Sequence, residues 1–176
     1  MYSLNVPVPN AVRRLAADLQ PLLTPFDRVR ERHTLLCKRF DGERSPHRLR
    51  EQVADILAGV EPFRVRVTEV DAFHDPPTGS SPVVYLAVEG PELQALHERL
   101  VAAFDAVDEL EGDDYTPHVT LARGLDSETT LGVEPRRDPV GTLRDHDTDS
   151  VAWTVDEVGV WSREHEEFVS RLSLPQ

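Results

Sequence analysis

Along this chain, apolar residues alternate with polar ones, then recur at helical intervals, then alternate again, and this rhythm divides the sequence into elements. Tyr2 to Val8 reads as a strand, and from Pro9-Asn10 to about Leu23 the residues Val12, Leu15, Leu19 and Leu22 fall at helical spacing. A strand from about Arg32 to Phe40 carries His33 and ends at Asp41-Gly42. Ser45-Pro46 then places a capping residue before a proline at the first helical position, and Leu49, Val53, Ile56 and Leu57 form one stripe up to Gly59. Phe63, Val65 and Val67 alternate with Arg64, Arg66 and Thr68, and Val70 to Phe73 carries the strand to a turn at Pro76 to Pro82.

The second half repeats this order. Val83 to Val88 is a strand, Pro91 to Phe104 a helix, and the segment around His118 a strand. Residues 124–150, rich in Gly, Pro, Asp and Thr, read as a long polar surface loop or flap with at most a short helix near Ser127 to Leu131. Two strands close the chain, about Ala152 to Ser162 and Glu167 to Leu174, hinged at Arg163 to Glu166. Strand-helix-strand-helix-strand occurring twice predicts an α+β fold: a single bilobal domain over residues 1–176. Its two lobes are expected to be pseudo-symmetric, interleaved antiparallel sheets with helices outside and a cleft between them.

Composition narrows the class. A chain of 176 residues with 39% hydrophobic content suits one domain with a full core. No apolar run approaches the ~18 residues of a membrane span, and the N-terminus has no signal-peptide pattern, so the expectation is a cytoplasmic protein. The lone cysteine, Cys37, excludes an internal disulfide and reads as a small apolar strand residue. The net charge of −13, with eighteen arginines and one lysine (Lys38), suits a salt-adapted (halophilic) protein, although GC-rich coding produces the same arginine bias. The charge is uneven: residues 1–66 carry twelve basic and eight acidic side chains, the remainder seven and twenty-four. Eight of the basic residues lie between Arg28 and Arg50, either as a surface for an anion or as an ordinary solvated face.

Candidate chemistry centres on Pro117-His118-Val119-Thr120-Leu121-Ala122-Arg123. On a strand, His118 and Thr120 project to one side while Val119 and Leu121 face the core. An imidazole moves a proton near pH 7, and a hydroxyl beside it donates to a phosphate oxygen. The spacing alone is weak. His146-Asp147-Thr148 repeats it among Asp145, Asp149 and Ser150, where no alternation marks a strand, and reads as solvated loop. What strengthens His118 is position: His33, 85 residues earlier, lies on the corresponding strand of the first half.

With these residues the sequence resembles the two-histidine phosphoesterase superfamily, in particular the RNA 2′,3′-cyclic phosphodiesterases also called 2′-5′ RNA ligases. The resemblance covers nearly the whole chain and rests on Tyr2-Ser3-Leu4-Asn5-Val6, His33-Thr34-Leu35-Leu36, the His118 segment and the order of elements. It implies a phosphodiesterase, without metal or cofactor, that opens 2′,3′-cyclic phosphates at RNA ends or on small nucleotides, with 2′-5′ ligation as the reverse step. The alternative is a catalytically impaired RNA- or nucleotide-binding module on the same fold. In the family's scheme His118 is the base and His33 the acid, and Thr120, Thr34 and Arg123 hold phosphate, although Arg123 falls on the opposite strand face if pairing stays regular. Tyr85, Tyr115 and Tyr2 are candidates to stack on a base or to pack in the core. The partner is then an RNA end or small cyclic nucleotide, with no membrane, no protein partner and a monomeric state; with so acidic a chain, recognition should be short and end-directed.

The first motif departs from the family's His-x-Thr/Ser. Thr34 follows His33 directly, which in a regular strand turns it to the other face and puts Leu35 where the hydroxyl belongs. Either a bulge returns Thr34 to the cleft, or the first half-site lacks its hydroxyl; Leu35-Leu36-Cys37 offers no glycine to mark a bulge, which favours the second. His33 as a plain structural histidine stays open. His47, His74, His97 and His165 read as surface residues, and Trp153 and Trp161 as anchors of the closing strands.

Overall fold

A computed structural model describes residues 1–125, 138–148 and 151–175. The alternating segments form strands β1 (Tyr2–Pro7), β2 (Phe26–Val29), β3 (Thr34–Phe40), β4 (Phe63–Phe73), β5 (Val83–Glu89), β6 (His118–Leu125), β7 (Ala152–Val155), β8 (Glu157–Ser162) and β9 (Glu167–Ser173). They make two sheets, one ordered β3-β1-β8-β9 and the other β2-β6-β5-β4-β7, and every pairing is antiparallel. The helices are α1 (Asn10–Leu19), α2 (Pro46–Ile56), α3 (Pro91–Phe104) and the short α4 (Pro139–Arg144). Their apolar stripes, Val12, Leu15 and Leu19 on α1 or Leu93, Leu96 and Leu100 on α3, are buried in one continuous core with both sheets.

The fold is α+β, as the alternation predicted, and it departs from the predicted elements at identifiable places. α1 stops at Leu19 and tightens into a 3-10 turn over Gln20–Leu22, because Pro21 has no N–H to continue the ladder. β2 has no forerunner in the sequence pattern; it is short and mostly exposed, so it carries no apolar alternation. The stretch 152–162 is not one strand: it divides at Asp156, and β7 and β8 join different sheets. Pro139 starts α4 inside the predicted loop, with the Asp138 side chain accepting from the Val140 N–H. The helix expected near 127–131 lies outside the described residues.

The internal duplication is present at the level of register. In the first sheet Asn5 pairs with Leu36, Leu4 with Lys38 and Ser3 with Arg39, so Cys37 is an extra residue between them. In the second, Tyr85 pairs with Thr120, Val84 with Ala122 and Val83 with Arg123, and Leu121 is the extra one. Both bulged residues are fully buried.

Candidate functional site

The two bulges determine which side chains meet. On β6, His118 and Thr120 share a face with Tyr85 of β5, while Val119 and Leu121 are buried on the other side. The extra residue at Leu121 shifts the alternation by one and returns Arg123 to the face of His118, correcting the expectation of regular pairing. The loop that joins β4 to β5 lies against this arginine. Its Nη1 donates to the Thr78 carbonyl at 3.3 Å, and a Cβ on Gly79 (φ +82°) would collide with the same nitrogen, so glycine is required there.

On β3 the bulge at Cys37 does the same for Arg39. The two registers then match residue for residue: Thr34 stands opposite Pro7 as His118 stands opposite Ala87, Leu36 matches Thr120, and Arg39 matches Arg123. Thr34 does face inward, where the Asn5 amide donates to its hydroxyl at 2.7 Å. Leu35 is in the core and fully buried, so it does not take the place of a hydroxyl. His33 precedes the strand and is one residue out of register with His118.

His118 is set up to accept a proton. Its Nδ1–H donates to the Thr116 carbonyl at 2.6 Å, which leaves the lone pair on Nε2. Phe73 meets the ring edge-on at 5.2 Å, and Tyr85, itself stacked on Phe73 at 4.2 Å, tilts against it at 5.2 Å. Burial pushes the imidazole pKa down, the Thr116 bond pulls it partly back, and the charges of Arg39 and Arg123 push it down again, so the ring is neutral at neutral pH. Arg123 is itself lowered, first by burial and then by Arg30, Arg163 and Arg28, whose charges crowd it. Among the described residues Arg28, Arg123 and Arg163 form no ion pair with a carboxylate. In a chain of net charge −13, Arg39 and Arg123 beside a neutral histidine, with Arg28, Arg30 and Arg163 near Arg123, form a local field for an anion.

Behind Arg39 lies a buried polar network that composition alone did not reveal. Lys38 is 1% exposed and its ammonium contacts Glu111 Oε2 and the Arg39 carbonyl, each at 2.5 Å. Glu111 Oε1 accepts from the Arg39 N–H at 2.5 Å, and Oε2 also accepts from the Val107 N–H. His97, expected at the surface, is fully buried: Nδ1–H donates to the Cys37 carbonyl at 2.7 Å and Nε2 accepts from the Gly112 N–H at 3.0 Å. Tyr115 stacks on His97 at 3.7 Å and donates to the Leu36 carbonyl at 2.7 Å. Glu111 and Tyr115 from the α3–β6 connection, with His97 from α3, thus hold the outer edge of β3 at its bulge.

The tyrosines are therefore struts. One face of the Tyr115 ring lies against His97, and burial raises its pKa well above the ordinary value. Tyr85 is buried on Phe73, with its hydroxyl held by Asp71 and its pKa pushed up to about 12 by burial and by that carboxylate. Tyr2 alternates with Ser3 and Asn5, so it projects with Leu4 and Val6 toward the core rather than the cleft. Cys37 is fully buried and its thiol is pushed up to about 12, which leaves it inert.

His33 lies just before β3. It lines a recess of about 760 Å³ with Arg13, Arg30, Thr34, Trp161 and Phe168, and His118 is not part of that lining. Burial lowers its pKa, and Arg13 and Arg30 lower it further, so this imidazole is neutral too. The residues that sequence reasoning missed, Arg39, Arg163 and Asn5, were findable in part: aligning 34–39 with 118–123 superposes Leu35 on Val119, Cys37 on Leu121 and Arg39 on Arg123. Requiring histidine to match histidine hid that alignment. Among the described residues no three His, Cys, Asp or Glu side chains converge as metal ligands, and no helix is long and apolar enough to cross a membrane.

The family profile described as "2'-5' RNA ligase superfamily" matches residues 8–167. No curated protein matches the chain by sequence. Among solved structures, TT0787 of Thermus thermophilus superposes with a TM-score of 0.65 at 20% identity, covering 98% of this chain and 97% of that one. E. coli LigT complexed with 3′-AMP gives 0.60 at 16% identity over 99% and 98%. Kluyveromyces marxianus Usb1 gives 0.56 at 10% identity over 99% and 97%.

Proposed function

The chain belongs to the 2′-5′ RNA ligase superfamily, and on that premise we propose that it opens 2′,3′-cyclic phosphates at RNA ends or on small nucleotides, without a metal, using His118 as its single imidazole. One observation carries the reading: His118, Thr120, Arg123 and, across the pseudo-twofold, Thr34 and Arg39 occupy matching positions on two bulged strands. Neutral His118 takes a proton from the attacking water through Nε2. Thr120 and the arginines offset charge on the non-bridging oxygens as the P–O3′ bond breaks. Thr34 presents a hydroxyl where a second imidazole would stand, so the departing 3′ oxygen takes its proton from water, and ring strain in the cyclic phosphate supplies the drive. LigT has been crystallised with 3′-AMP and with phosphate, ligands of the class proposed for this cleft.

Thr34 also favours a second reading, a binding module that keeps the anion field and has lost turnover. Assay of 2′,3′-cyclic AMP opening in EDTA by the native chain, His118→Ala and His33→Ala separates the two. The enzyme reading expects a loss of about 10²- to 10⁴-fold for His118→Ala and a much smaller loss for His33→Ala. Binding of 2′-AMP without turnover by the native chain supports the module, and equal losses from both variants would reinstate His33 as the second imidazole.

A further inference from the structure

The recess beside Thr34 is built unlike a bare surface hollow. Its floor is the inner face of the four-stranded sheet, where Trp161 and Phe168 stand half-buried and edge-to-face at 4.9 Å and 77°. Phe168 lies across β8 where the neighbouring strand has only Gly159: a Cβ there would come within 2.5 Å of the ring. The Arg171 guanidinium covers Phe168 at 4.7 Å and is tied to Glu157, so Phe168 is committed and Trp161 is the ring that faces the recess. The walls carry four arginines and two glutamates. Arg30 and Arg32 are both bound to Glu166, the first to its carboxylate at 3.1 Å and the second to its carbonyl at 2.6 Å. Arg13 bonds only the Asn10 side chain, at 3.0 Å, and has no carboxylate partner among the described residues. Below Thr34, Asn5 is 4% exposed and its Oδ1 has no partner.

The recess lies beside β6: the N–H of Arg30, which lines it, donates to the Leu121 carbonyl at 2.8 Å. Thr34 lines it while matching His118 in register, and Arg30 lines it while its charge acts on Arg123. The volume suits one nucleotide, an aromatic ring there suits a base, and an uncommitted guanidinium suits a phosphate.

We infer that the recess is a nucleotide subsite in which the base stacks on Trp161 and the 5′-phosphate of the same nucleotide is held by Arg13. Resting on the function proposed above, this names the substrate as a nucleotide carrying phosphate on both sides, a polynucleotide end rather than a free nucleoside cyclic phosphate.

The test compares adenosine 2′,3′-cyclic phosphate with the same compound bearing a 5′-phosphate. The added phosphate is expected to lower KM about tenfold with little change in kcat, since it binds ground and transition states alike. Arg13→Gln should erase that difference. Trp161→Ala should raise KM for both compounds by roughly five- to tenfold, and Trp161→Phe should recover most of the loss. Equal KM values for the two compounds in the native protein, or an Arg13→Gln variant that retains the full difference, overturns the subsite. If neither compound is turned over, the proposed function fails and binding decides. In a Trp153→Phe background, quenching of Trp161 fluorescence by adenosine 2′,5′-bisphosphate should saturate at lower concentration than quenching by 2′-AMP. Equal concentrations, or no quenching, overturns the subsite independently of catalysis.

Discussion

The β3 half of the cleft and the β6 half share a backbone and differ in chemistry. Both strands insert one buried residue at the same point of the register, and both thereby present an arginine, Arg39 or Arg123, to the same face. Only the β6 half has an imidazole in line with its arginine. Their supports differ as well. β6 is flanked by β2 and β5, whereas β3 is the edge of its sheet and has Glu111, His97 and Tyr115 bonded along its open side. An arginine is thus presented by both halves, and an imidazole in register with it by one. The proposed function therefore assigns anion binding to both halves of the fold and general-base chemistry to one of them.

The greatest expected effect comes from removing the support peculiar to β3. Glu111→Ala leaves Lys38 as an unpaired buried cation, which costs about 3–5 kcal/mol of stability, read as a lower urea midpoint at unchanged slope. Lys38→Met together with Glu111→Leu should recover much of the loss, since the pair is nearly dry. Should Glu111→Ala unfold at the parent's midpoint, the buried network is not what holds the β3 edge.

Next in size is the change that would make the halves alike. Thr34→His puts an imidazole at the register position of His118, and if the alignment by bulges is right it supplies the missing acid and raises kcat by about tenfold to a hundredfold. The same substitution made at Leu35, which faces the core, should cost stability and give no gain. No gain at Thr34 in a protein that still folds would break the residue-for-residue match.

A smaller effect separates the halves by pH. The His118 pKa lies below 6.5 because burial and the charges of Arg39 and Arg123 disfavour the imidazolium, so activity should rise with pH to a plateau that includes neutrality. Arg123→Gln removes one of those charges, and the acid limb should move to higher pH. An acid limb that stays in place would mean that the ring does not sense the arginine. His97 adds a stability term of the same sign: its folded pKa is lowered by burial, so its contribution is present above the unfolded value and is lost as pH falls through the folded one.

Much of this was legible in the sequence because it depends on periodicity. The duplicated strand-helix-strand order and the inward pair His118 and Thr120 follow from alternation, whereas Thr34, which alternation turned away, faces inward. What alternation could not supply was the bulge. Cys37 and Leu121 are ordinary apolar residues with nothing to mark an inserted position, so regular alternation puts Arg123 on the wrong face and gives no reason to single out Arg39. Long-range partners were equally invisible. Nothing local to His97 or Tyr115 indicates that each would bond the open edge of a strand roughly 60 or 79 residues away.

The smallest expected effect is on His33, and it bears most directly on the difference between the halves. In the family pattern this residue is half of the proton-transfer machinery, whereas here it precedes β3, stands between Arg13 and Arg30 and is kept neutral by burial and by their charges. Proton transfer by a positioned side chain contributes about 10²- to 10⁴-fold, so a catalytic His33 must show a loss of that order when removed. A residue that only lines the recess should instead leave its mark on KM. His33→Gln keeps a hydrogen-bonding side chain of similar reach and is expected to lower kcat by less than about threefold, with the acid limb of the pH profile unmoved. A large kcat loss, or the disappearance of a second ionisation from the profile, would put the proton-transfer function back on the β3 side and remove the asymmetry between the two halves.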